Sequence, residues 1–253
     1  MSPDASPDAR YDGHADWYDA TFRRYSDEDG SAGVLARLLG PADRGDPVCL
    51  DIGCGTGLHF AAVEGLGHTV VGVDLSADQL RVAATRNPRV VRADAGRLPL
   101  ADASVPAVVM TFIHTDVDDF PRVVGEAARV LRPGGRLVYL GLHPAYVGPF
   151  LDRQGETGDR ELRLAPGYGD ERLHHDPSGR FPVRSRVGSR SLTLETFLGA
   201  FLAQPTLRLT SLVELDTGLR PWLAGPGDGR VVPWNLAVTA RTTPQERPQQ
   251  RAP

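Results

Sequence analysis

The sequence contains no lysine, and all 28 of its basic residues are arginine. This absence excludes the lysine Schiff base of covalent catalysis and the lysine of a triphosphate-binding P-loop. The formal net charge is −4, so the chain carries no overall excess of positive charge that would attract nucleic acid or an anionic membrane surface. We therefore expect neither nucleic acid nor a membrane as a partner.

Cysteine and long apolar runs are also scarce. The two cysteines, Cys49 and Cys54, are spaced neither as a CxxC redox pair nor as a zinc site, so we expect no disulfide and no bound metal. The apolar runs are far shorter than the roughly 18 residues of a membrane span. The first ten residues, MSPDASPDAR, lack the basic and then apolar order of a secretory signal. These absences predict a cytoplasmic protein.

The alternation of apolar and polar segments predicts one α/β domain. Residues 1–10 and 242–253 are rich in Pro, Ser, Gln and Arg and are predicted to be disordered tails. Between them, at 11–241, short β-branched runs alternate with amphipathic stretches, which is typical of a doubly wound, mostly parallel sheet around one core. The predicted strands are 48–52, 69–73, 90–92, 105–112, 136–142, 206–215 and 234–240.

Helices are predicted from capping residues and apolar spacing. Ser76 and Gln79 form a capping-box pattern ahead of one helix, and Thr193 is placed to cap another. Pro121 opens a helix that stops at the Pro-Gly-Gly turn of residues 133–135. The apolar face of that helix is predicted to consist of Val123, Val124, Ala127, Val130 and Leu131.

Residues 144–190 form a long segment with little periodicity and many Gly, Pro and Asp residues. An irregular segment of this length inside a compact domain is more often a functional lid than a plain connection. We interpret it as an insertion over the active site.

A glycine-rich loop follows the first predicted strand in VCLDIGCGTG, residues 48–57. A strand, a glycine-rich turn and a helix N-terminus together form a ligand site in such sheets. A triphosphate loop needs a lysine, which the chain lacks. A dinucleotide loop of the form GxGxxG that starts at Gly53 and Gly55 needs its third glycine at position 58, which is Leu58, whereas the third glycine is Gly57. Neither phosphate-binding pattern fits.

Three acids follow three successive predicted strands. Asp51 lies two residues before the first glycine, where it would repel a pyrophosphate and attract a cationic group. Asp74 ends the second strand, where an acid in a nucleotide fold accepts both ribose hydroxyls. Asp94 follows the third strand and is placed to accept a hydrogen bond from an adenine amine. The pattern predicts a nucleoside-like ligand that has no phosphate.

At these motifs the sequence resembles the class I S-adenosylmethionine-dependent methyltransferases, in particular the small-molecule subgroup similar to the ubiquinone and menaquinone biosynthesis enzymes. The resemblance runs from about residue 11 to 242. It implies S-adenosyl-L-methionine as the cofactor and a seven-stranded Rossmann-like sheet of order 3-2-1-4-5-7-6 with the last strand antiparallel. The motifs that carry it, in the order of the family, are LDIGCGTG, VVGVDLS, RADAGRLPLADASVPAVVMTF and EAARVLRPGGRLVYLG.

The resemblance also implies roles for residues around the nucleoside. Asp74 would hold the ribose hydroxyls, and Leu75 would pack on the adenine. Asp94 and the N–H of Ala95 would contact the adenine edge, and Thr111 would lie beneath the sulfonium. The implied cofactor-binding residues as a set are Asp51, Gly53, Cys54, Gly55, Gly57, Asp74, Leu75, Asp94, Ala95, Thr111 and Tyr18.

The N-terminal stretch YDGHADWYDATF looks like the helix that closes over the cofactor in this subgroup. The resemblance therefore implies that Tyr11 and Tyr18 are lid contacts. The opposite end of the cofactor, its methionine part, would lie on the three glycines and the backbone of Cys54.

Methyl transfer is an in-line displacement in which the enzyme chiefly holds the reacting atoms in line. An acceptor that must lose a proton also needs a base at the carboxyl edge of the sheet. The candidate bases are His114 and His143, which follow the fourth and fifth predicted strands. Asp116 and Asp118 flank His114 and would raise its pKa or orient its ring.

The acceptor is predicted to be a small organic molecule. Methyltransferases of planar amines carry an Asn or Asp followed by two prolines and an aromatic residue after the fourth strand, where this chain has TFIHTD. A cluster of arginines would either contact an anionic substrate or form a solvated face. Its members are Arg180, Arg184, Arg186 and Arg190.

Two alternatives stay open at this point. One is a protein of the same fold that binds the cofactor without methyl transfer, either as a regulator or as the catalyst of another reaction. The other is an RNA methyltransferase, which the acidic charge balance disfavours.

Overall fold

The computed structural model describes residues 9–26, 30–145, 151–154, 161–164, 167–179, 182–215 and 233–244, with the backbone alone at 151–154 and 161–164. Most of the two predicted tails, at 1–8 and 245–253, lies outside the described residues. Parts of the segment predicted to be a lid lie outside them too. The division into tails, domain and lid therefore stays a prediction.

Eleven strands are present in the described part of the chain, and seven of them form the main sheet. The main sheet has the order β10-β11-β5-β4-β1-β2-β3. Two further sheets have two strands each, one formed by β6 and β7 and the other by β8 and β9. The strands are β1 Val48–Ile52, β2 Thr69–Asp74, β3 Val90–Arg92, β4 Val105–Thr111, β5 Leu131–Leu142, β6 Leu151–Gln154, β7 Glu161–Leu164, β8 Leu173–His174, β9 Ser189–Arg190, β10 Leu207–Leu215 and β11 Asn235–Thr242.

The topology of the main sheet confirms the predicted order. Strands β3, β2, β1, β4 and β5 are parallel neighbours, and β11 runs antiparallel to both β5 and β10. Because β10 and β11 are the sixth and seventh strands of this sheet along the chain, the order is 3-2-1-4-5-7-6 with the last strand antiparallel. The carboxyl ends of β1 to β4 therefore meet at one edge, where ligands bind in open α/β sheets.

Helices cover both faces of the sheet. Two hydrophobic clusters result: α5 and α7 contribute to one, and α2, α3 and α4 contribute to the other. All seven residues of the central strand β4 are buried, as expected for a parallel strand covered on both sides. The helices are α1 Ala15–Phe22, α2 Ser31–Leu39, α3 Phe60–Glu64, α4 Ala77–Ala83, α5 Phe120–Val130, α6 Pro182–Val187 and α7 Leu194–Leu202.

The predicted helix caps are confirmed. The Ser76 hydroxyl accepts a hydrogen bond from the backbone N–H of Gln79 at 3.1 Å at the start of α4. The Thr193 hydroxyl accepts one from the N–H of Thr196 at 3.0 Å at the start of α7. These caps satisfy N–H groups that the first turn leaves unpaired.

The predicted boundary between α5 and β5 is wrong. Leu131 was expected on the apolar face of α5, but the helix ends at Val130 and Leu131 is the first residue of β5, with extended backbone. Arg132 precedes Pro133, and the proline ring disfavours helical backbone in the residue before it. Leu131 pairs instead with Val105 of β4, so the chain enters the sheet before the Pro-Gly-Gly turn.

Among the residues that the structure describes, no helix is both long and apolar enough to cross a membrane.

Candidate active site

A cavity of about 430 Å³ opens at the carboxyl edge of the main sheet. Its walls come from the ends of β1 to β4, from the loop after β4 and from the segment before α1. Three predicted site residues, Asp51, Cys54 and Gly57, are not on its wall. The other eight line it: Gly53, Gly55, Asp74, Leu75, Asp94, Ala95, Thr111 and Tyr18.

The glycine loop has a shape that side chains would prevent. Gly53 and Gly57 have φ angles of +72° and +75°, in the left-handed region that favours glycine. A Cβ on Gly53 would lie 2.5 Å from Cδ1 of Ile113, and a Cβ on Gly57 would lie 2.6 Å from the ring of Phe60. The loop is tied to the end of β2, because the N–H of Gly53 donates to the carbonyl of Val73 at 2.8 Å. Gly53 and Gly55 thus bring backbone, rather than side chains, to the cavity wall, and Gly57 shapes the loop behind it.

Asp51 is a buried acid without a partner. It is 1% exposed, and neither carboxylate oxygen has a hydrogen-bond partner in the described part of the chain. Burial and the neighbouring carboxylate of Asp74 raise the pKa of Asp51 to about 7. An unpaired carboxylate in an enclosed site is costly unless a donor or a cation satisfies it. The side chain therefore fits a ligand that brings a positive charge to the glycine loop.

Asp74 is held in place by two backbone N–H groups. Its Oδ2 accepts from Gly55 at 2.9 Å, and its Oδ1 accepts from Ser76 at 2.9 Å. Burial raises the pKa of this carboxyl, and the two backbone donors act in the opposite direction. A carboxylate has about four acceptor positions, so both oxygens can accept another hydrogen bond. This geometry suits a pair of neighbouring hydroxyls.

Asp94 lies in the turn after β3. Its Oδ1 accepts a hydrogen bond from the N–H of Gly96 at 2.8 Å, and its carbonyl accepts one from Arg97 at 2.9 Å. Asp94 therefore both stabilises the local turn and lines the cavity. Ala95 beside it also lines the cavity.

Thr111 is the inner end of a buried polar chain that sequence reasoning missed. Its hydroxyl lies 3.2 Å from Nδ1 of His59, and Nε2 of His59 lies 2.7 Å from the hydroxyl of Ser31. Burial lowers the pKa of His59 to about 4, so this ring is neutral at pH 7. These hydrogen-bonded side chains fix the Thr111 hydroxyl at the cavity wall. His59 has no motif spacing that would have singled it out.

The segment before α1 is fastened over the end of β2. Asp12 accepts a hydrogen bond from the Ser76 hydroxyl at 2.6 Å, and Asp78 accepts from the N–H of Gly13 at 3.0 Å. The rings of Tyr11 and Tyr18 meet edge to face at 5.5 Å, and both line the cavity. The N-terminal segment therefore covers the side of the cavity near Asp74.

His114 is not on the cavity wall. Its ring is 2% exposed and packs against the rings of Phe120 and Phe197, and its Nδ1 lies 2.5 Å from the hydroxyl of Tyr139. Burial lowers the pKa of His114 to about 3. The expectation that neighbouring acids raise this pKa is wrong, because desolvation dominates and Tyr139 orients the ring. Both flanking acids, Asp116 and Asp118, line the cavity instead.

His143 is also away from the cavity wall. Its Nε2 lies 3.0 Å from Oε1 of Glu214, and its Nδ1 accepts from the N–H of Ala145 at 3.1 Å. Burial lowers the pKa of this histidine, and Glu214 opposes that change. These contacts fix the end of β5 where the irregular segment begins.

The arginine cluster makes internal contacts. Arg184 donates to the Ser189 hydroxyl at 3.0 Å, and Arg186 lies 4.1 Å above the ring of Trp17. Arg190 pairs with Asp118 at 2.8 Å. Arg180 lies outside the described residues. Arg186 thus ties the irregular segment to the N-terminal helix, and Arg190 ties it to the loop after β4, whereas the contact of Arg184 lies within the segment. No group of three or more metal-ligating side chains is present among the residues that the structure describes.

Known proteins share these motifs. Residues 50–139 match the model of a methyltransferase domain family. A demethylmenaquinone methyltransferase of Tropheryma whipplei is 39% identical over 107 residues, which is 40% of this chain and 45% of the relative. A candidate 23S rRNA (guanine-N(1)-)-methyltransferase of Micromonospora griseorubida is 33% identical over 204 residues, which is 74% of this chain and 63% of the relative. The chain thus matches less than two thirds of the length of either protein.

A solved structure shows the same fold. An S-adenosylmethionine-dependent methyltransferase from Mesorhizobium loti superposes with a TM-score of 0.65 at 24% identity, over 84% of this chain and 99% of that one. Residues 50–139 thus match a methyltransferase domain family, and the strand order of the main sheet is that of an S-adenosylmethionine-dependent methyltransferase fold.

Proposed function

We propose that this chain transfers the methyl group of S-adenosylmethionine to a small organic acceptor. The observation that carries the proposal is the set of three acids at successive strand ends, Asp51, Asp74 and Asp94, around a glycine loop that has no phosphate-binding pattern. Acids in these places suit a cationic nucleoside and oppose a phosphate.

The residues of the cavity fit this cofactor. Asp74 would accept the ribose hydroxyls, and Asp94 with the N–H of Ala95 would contact the adenine. The unpaired carboxylate of Asp51 would balance the positive charge of the methionine end. When bound, the cofactor supplies an electrophilic methyl group on a sulfonium. The protein contributes by holding both reactants in line and by excluding water with its N-terminal segment.

A small acceptor is supported by the space available. A cavity of about 430 Å³ is within the range of small-molecule sites. Tyr11 and Tyr18 form part of its wall. The Tropheryma whipplei relative is by name a methyltransferase of demethylmenaquinone.

A second candidate is methylation of RNA. The Micromonospora griseorubida relative, which matches this chain over 204 residues, carries the name of an rRNA methyltransferase. The net charge of −4 gives no general attraction to RNA, so the small acceptor is the function that we favour. The cytoplasmic location expected from the sequence stays a prediction.

Transfer of a labelled methyl group tests the proposal. The protein is incubated with methyl-labelled S-adenosylmethionine together with a metabolite extract, and separately with total RNA. We expect label in the small-molecule fraction. Label in RNA alone would replace the proposal with the second candidate, and binding of the cofactor without transfer to either fraction would contradict both.

Substitution of His114 tests whether this residue is the base. We expect His114→Leu to lower the free energy of unfolding by about 1 to 3 kcal/mol, because the Tyr139 hydroxyl loses its buried partner. The rate of methyl transfer should stay near that of the wild type, whereas loss of a general base slows a reaction by about 100-fold or more. Denaturant unfolding and label transfer measure the two effects.

The double variant His114→Leu with Tyr139→Phe is the matched control. It removes both partners of the hydrogen bond, so it should recover part of the lost stability. A large loss of rate in His114→Leu without a loss of stability would restore His114 as the candidate base.

A further inference from the structure

Asp116 lies on the cavity wall, five residues beyond Thr111 at the end of β4. One of its carboxylate oxygens, Oδ1, is enclosed and has no hydrogen-bond partner among the described residues. Hydrogen bonds from the side chains of Tyr11 and Thr115 act on the Asp116 carboxyl. The carboxylate is therefore oriented by two donors and keeps one oxygen unpaired.

The surroundings of Asp116 come from three parts of the chain. The side chain of Arg10 donates to the backbone carbonyls of Asp116 and Val187, which holds the loop after β4 against the N-terminal segment. Tyr18, Tyr139 and Asp74 are the other titratable groups that act on this carboxylate or are acted on by it.

These surroundings bring the pKa of the Asp116 carboxyl close to neutral pH. Burial raises the pKa of Asp116 to about 7, with a smaller contribution in the same direction from Asp74. The positive charge of Arg10 and the hydrogen bond from Tyr11 oppose that change. A carboxylate of this kind takes up a proton far more readily at pH 7 than an exposed one does.

The other acids of the same loop have different roles. The side chain of Asp118 is 61% exposed and pairs with Arg190. Asp119 caps α5 by accepting from the N–H of Arg122 at 3.0 Å. Neither His114 nor His143 reaches the cavity wall. Asp118 and Asp119 also line the cavity, but Asp116 is the acid of this loop that has an enclosed and unpaired carboxylate oxygen among the described residues.

We propose that Asp116 is the catalytic residue that accepts the proton of the methyl acceptor, and that the acceptor therefore reacts through an N–H or O–H group. This inference rests on the proposed function. Tyr11 is then a positioning residue, because it acts on the acceptor through the Asp116 carboxylate.

The proton and electron balance of the step is simple. A lone pair on the acceptor nitrogen or oxygen forms the bond to the methyl carbon, and the carbon–sulfur bond breaks with its electron pair left on sulfur. The acceptor proton passes to an Asp116 oxygen. A sulfonium and a carboxylate are consumed, and a neutral thioether and a carboxylic acid are formed, so no further reactant is needed.

The proposal restricts the substrate class. Amines, phenols and alcohols carry the proton that Asp116 would receive. A carboxylate acceptor has no proton to lose and would be repelled by Asp116. The cavity therefore selects neutral or cationic hydrogen-bond donors over anionic acids.

Asp116→Asn and Asp118→Asn form a matched pair of tests in the full-length protein. We expect Asp116→Asn to slow label transfer to the amine and phenol fractions of the extract by about 100-fold or more. Its affinity for S-adenosylhomocysteine, measured by calorimetry, should stay within about twofold of the wild type because Asp116 takes no part in the cofactor contacts. Asp118→Asn should change neither quantity substantially.

The pH profile separates a proton acceptor from a structural residue. With S-adenosylmethionine at saturation, the wild-type rate should rise as the pH passes through about 7, where Asp116 loses its proton, and Asp116→Asn should lack that rise. Carbon NMR of labelled aspartate carboxyls, with S-adenosylhomocysteine bound, should show one resonance that titrates near 7 and is missing from Asp116→Asn.

The outcomes distinguish this inference from the function on which it rests. Wild-type rate and pH profile in Asp116→Asn, or label found only on carboxylates, would overturn the role of Asp116 and leave methyl transfer standing. Cofactor binding without any transfer by the wild type would overturn the proposed function and the inference together.

Discussion

Replacing Asp74 with Ala is expected to weaken the binding of S-adenosylhomocysteine by about 100-fold or more. Hydrogen bonds to a charged group each contribute roughly 1.5 to 3 kcal/mol, and the carboxylate would lose two ribose hydroxyls at once. The substitution also frees the N–H groups of Gly55 and Ser76, which Asp74 holds at 2.9 Å, so the glycine loop loses one of its anchors. Both effects act in the same direction.

Calorimetric titration measures this loss, with Asp102→Ala as the control. The side chain of Asp102 is 78% exposed and pairs with Arg129 far from the cavity, so its removal should leave the affinity unchanged. An Asp74→Ala protein that stays folded and binds within about twofold of the wild type would remove the ribose assignment, since no strong hydrogen bond would then have been lost.

Replacing Asp51 with Asn is expected to weaken cofactor binding and, at the same time, to stabilise the ligand-free protein at pH 8. The pKa of Asp51 is raised in the folded protein to about 7 from its ordinary value of 3.8. The folded state therefore binds more protons than the unfolded state between these values, and stability falls as the pH rises from about 4 to about 7. Above pH 7 the cost of the buried charge is present in full.

Asn removes that charge and keeps the shape of the side chain. We expect the free energy of unfolding to rise by about 1 to 3 kcal/mol at pH 8 and to change little at pH 4, where Asp51 is protonated in the folded protein. The affinity for S-adenosylhomocysteine should fall by about tenfold or more at pH 8, because the methionine ammonium loses its carboxylate partner.

Denaturant unfolding at the two pH values, without cofactor, measures the stability change. A destabilised Asp51→Asn protein at pH 8 would contradict the view that the carboxylate is an unpaired buried charge. An affinity equal to that of the wild type would show that the charge does not act on the ligand.

The strands and the glycine loop were predictable because their signals are local. The bounds of β1 and β3 agree with the prediction, and the Ser76 cap follows from side chains three residues apart. The strand order came from the resemblance and not from any pattern of spacing. The start of β5 was missed because its first residue, Leu131, pairs with a strand about 25 residues earlier, and that contact overrides the helical spacing.

The catalytic candidates could not be predicted in the same way. The sequence placed His114 and His143 at the correct edge of the sheet, but the direction of a side chain after a strand depends on the tertiary packing. His114 is enclosed by Phe120, Phe197 and Tyr139. The backbone carbonyl of Asp116 accepts a hydrogen bond from Arg10, which lies 106 positions away in the chain. No local motif encodes either arrangement.

Calorimetric titration of the wild-type protein with S-adenosylhomocysteine, NAD and ATP tests the central claim most directly. The acids at the ends of β1, β2 and β3 predict saturable binding of the phosphate-free ligand at one site per chain and no detectable binding of the two phosphate-bearing nucleotides. Binding of NAD or ATP in preference to S-adenosylhomocysteine would contradict the account.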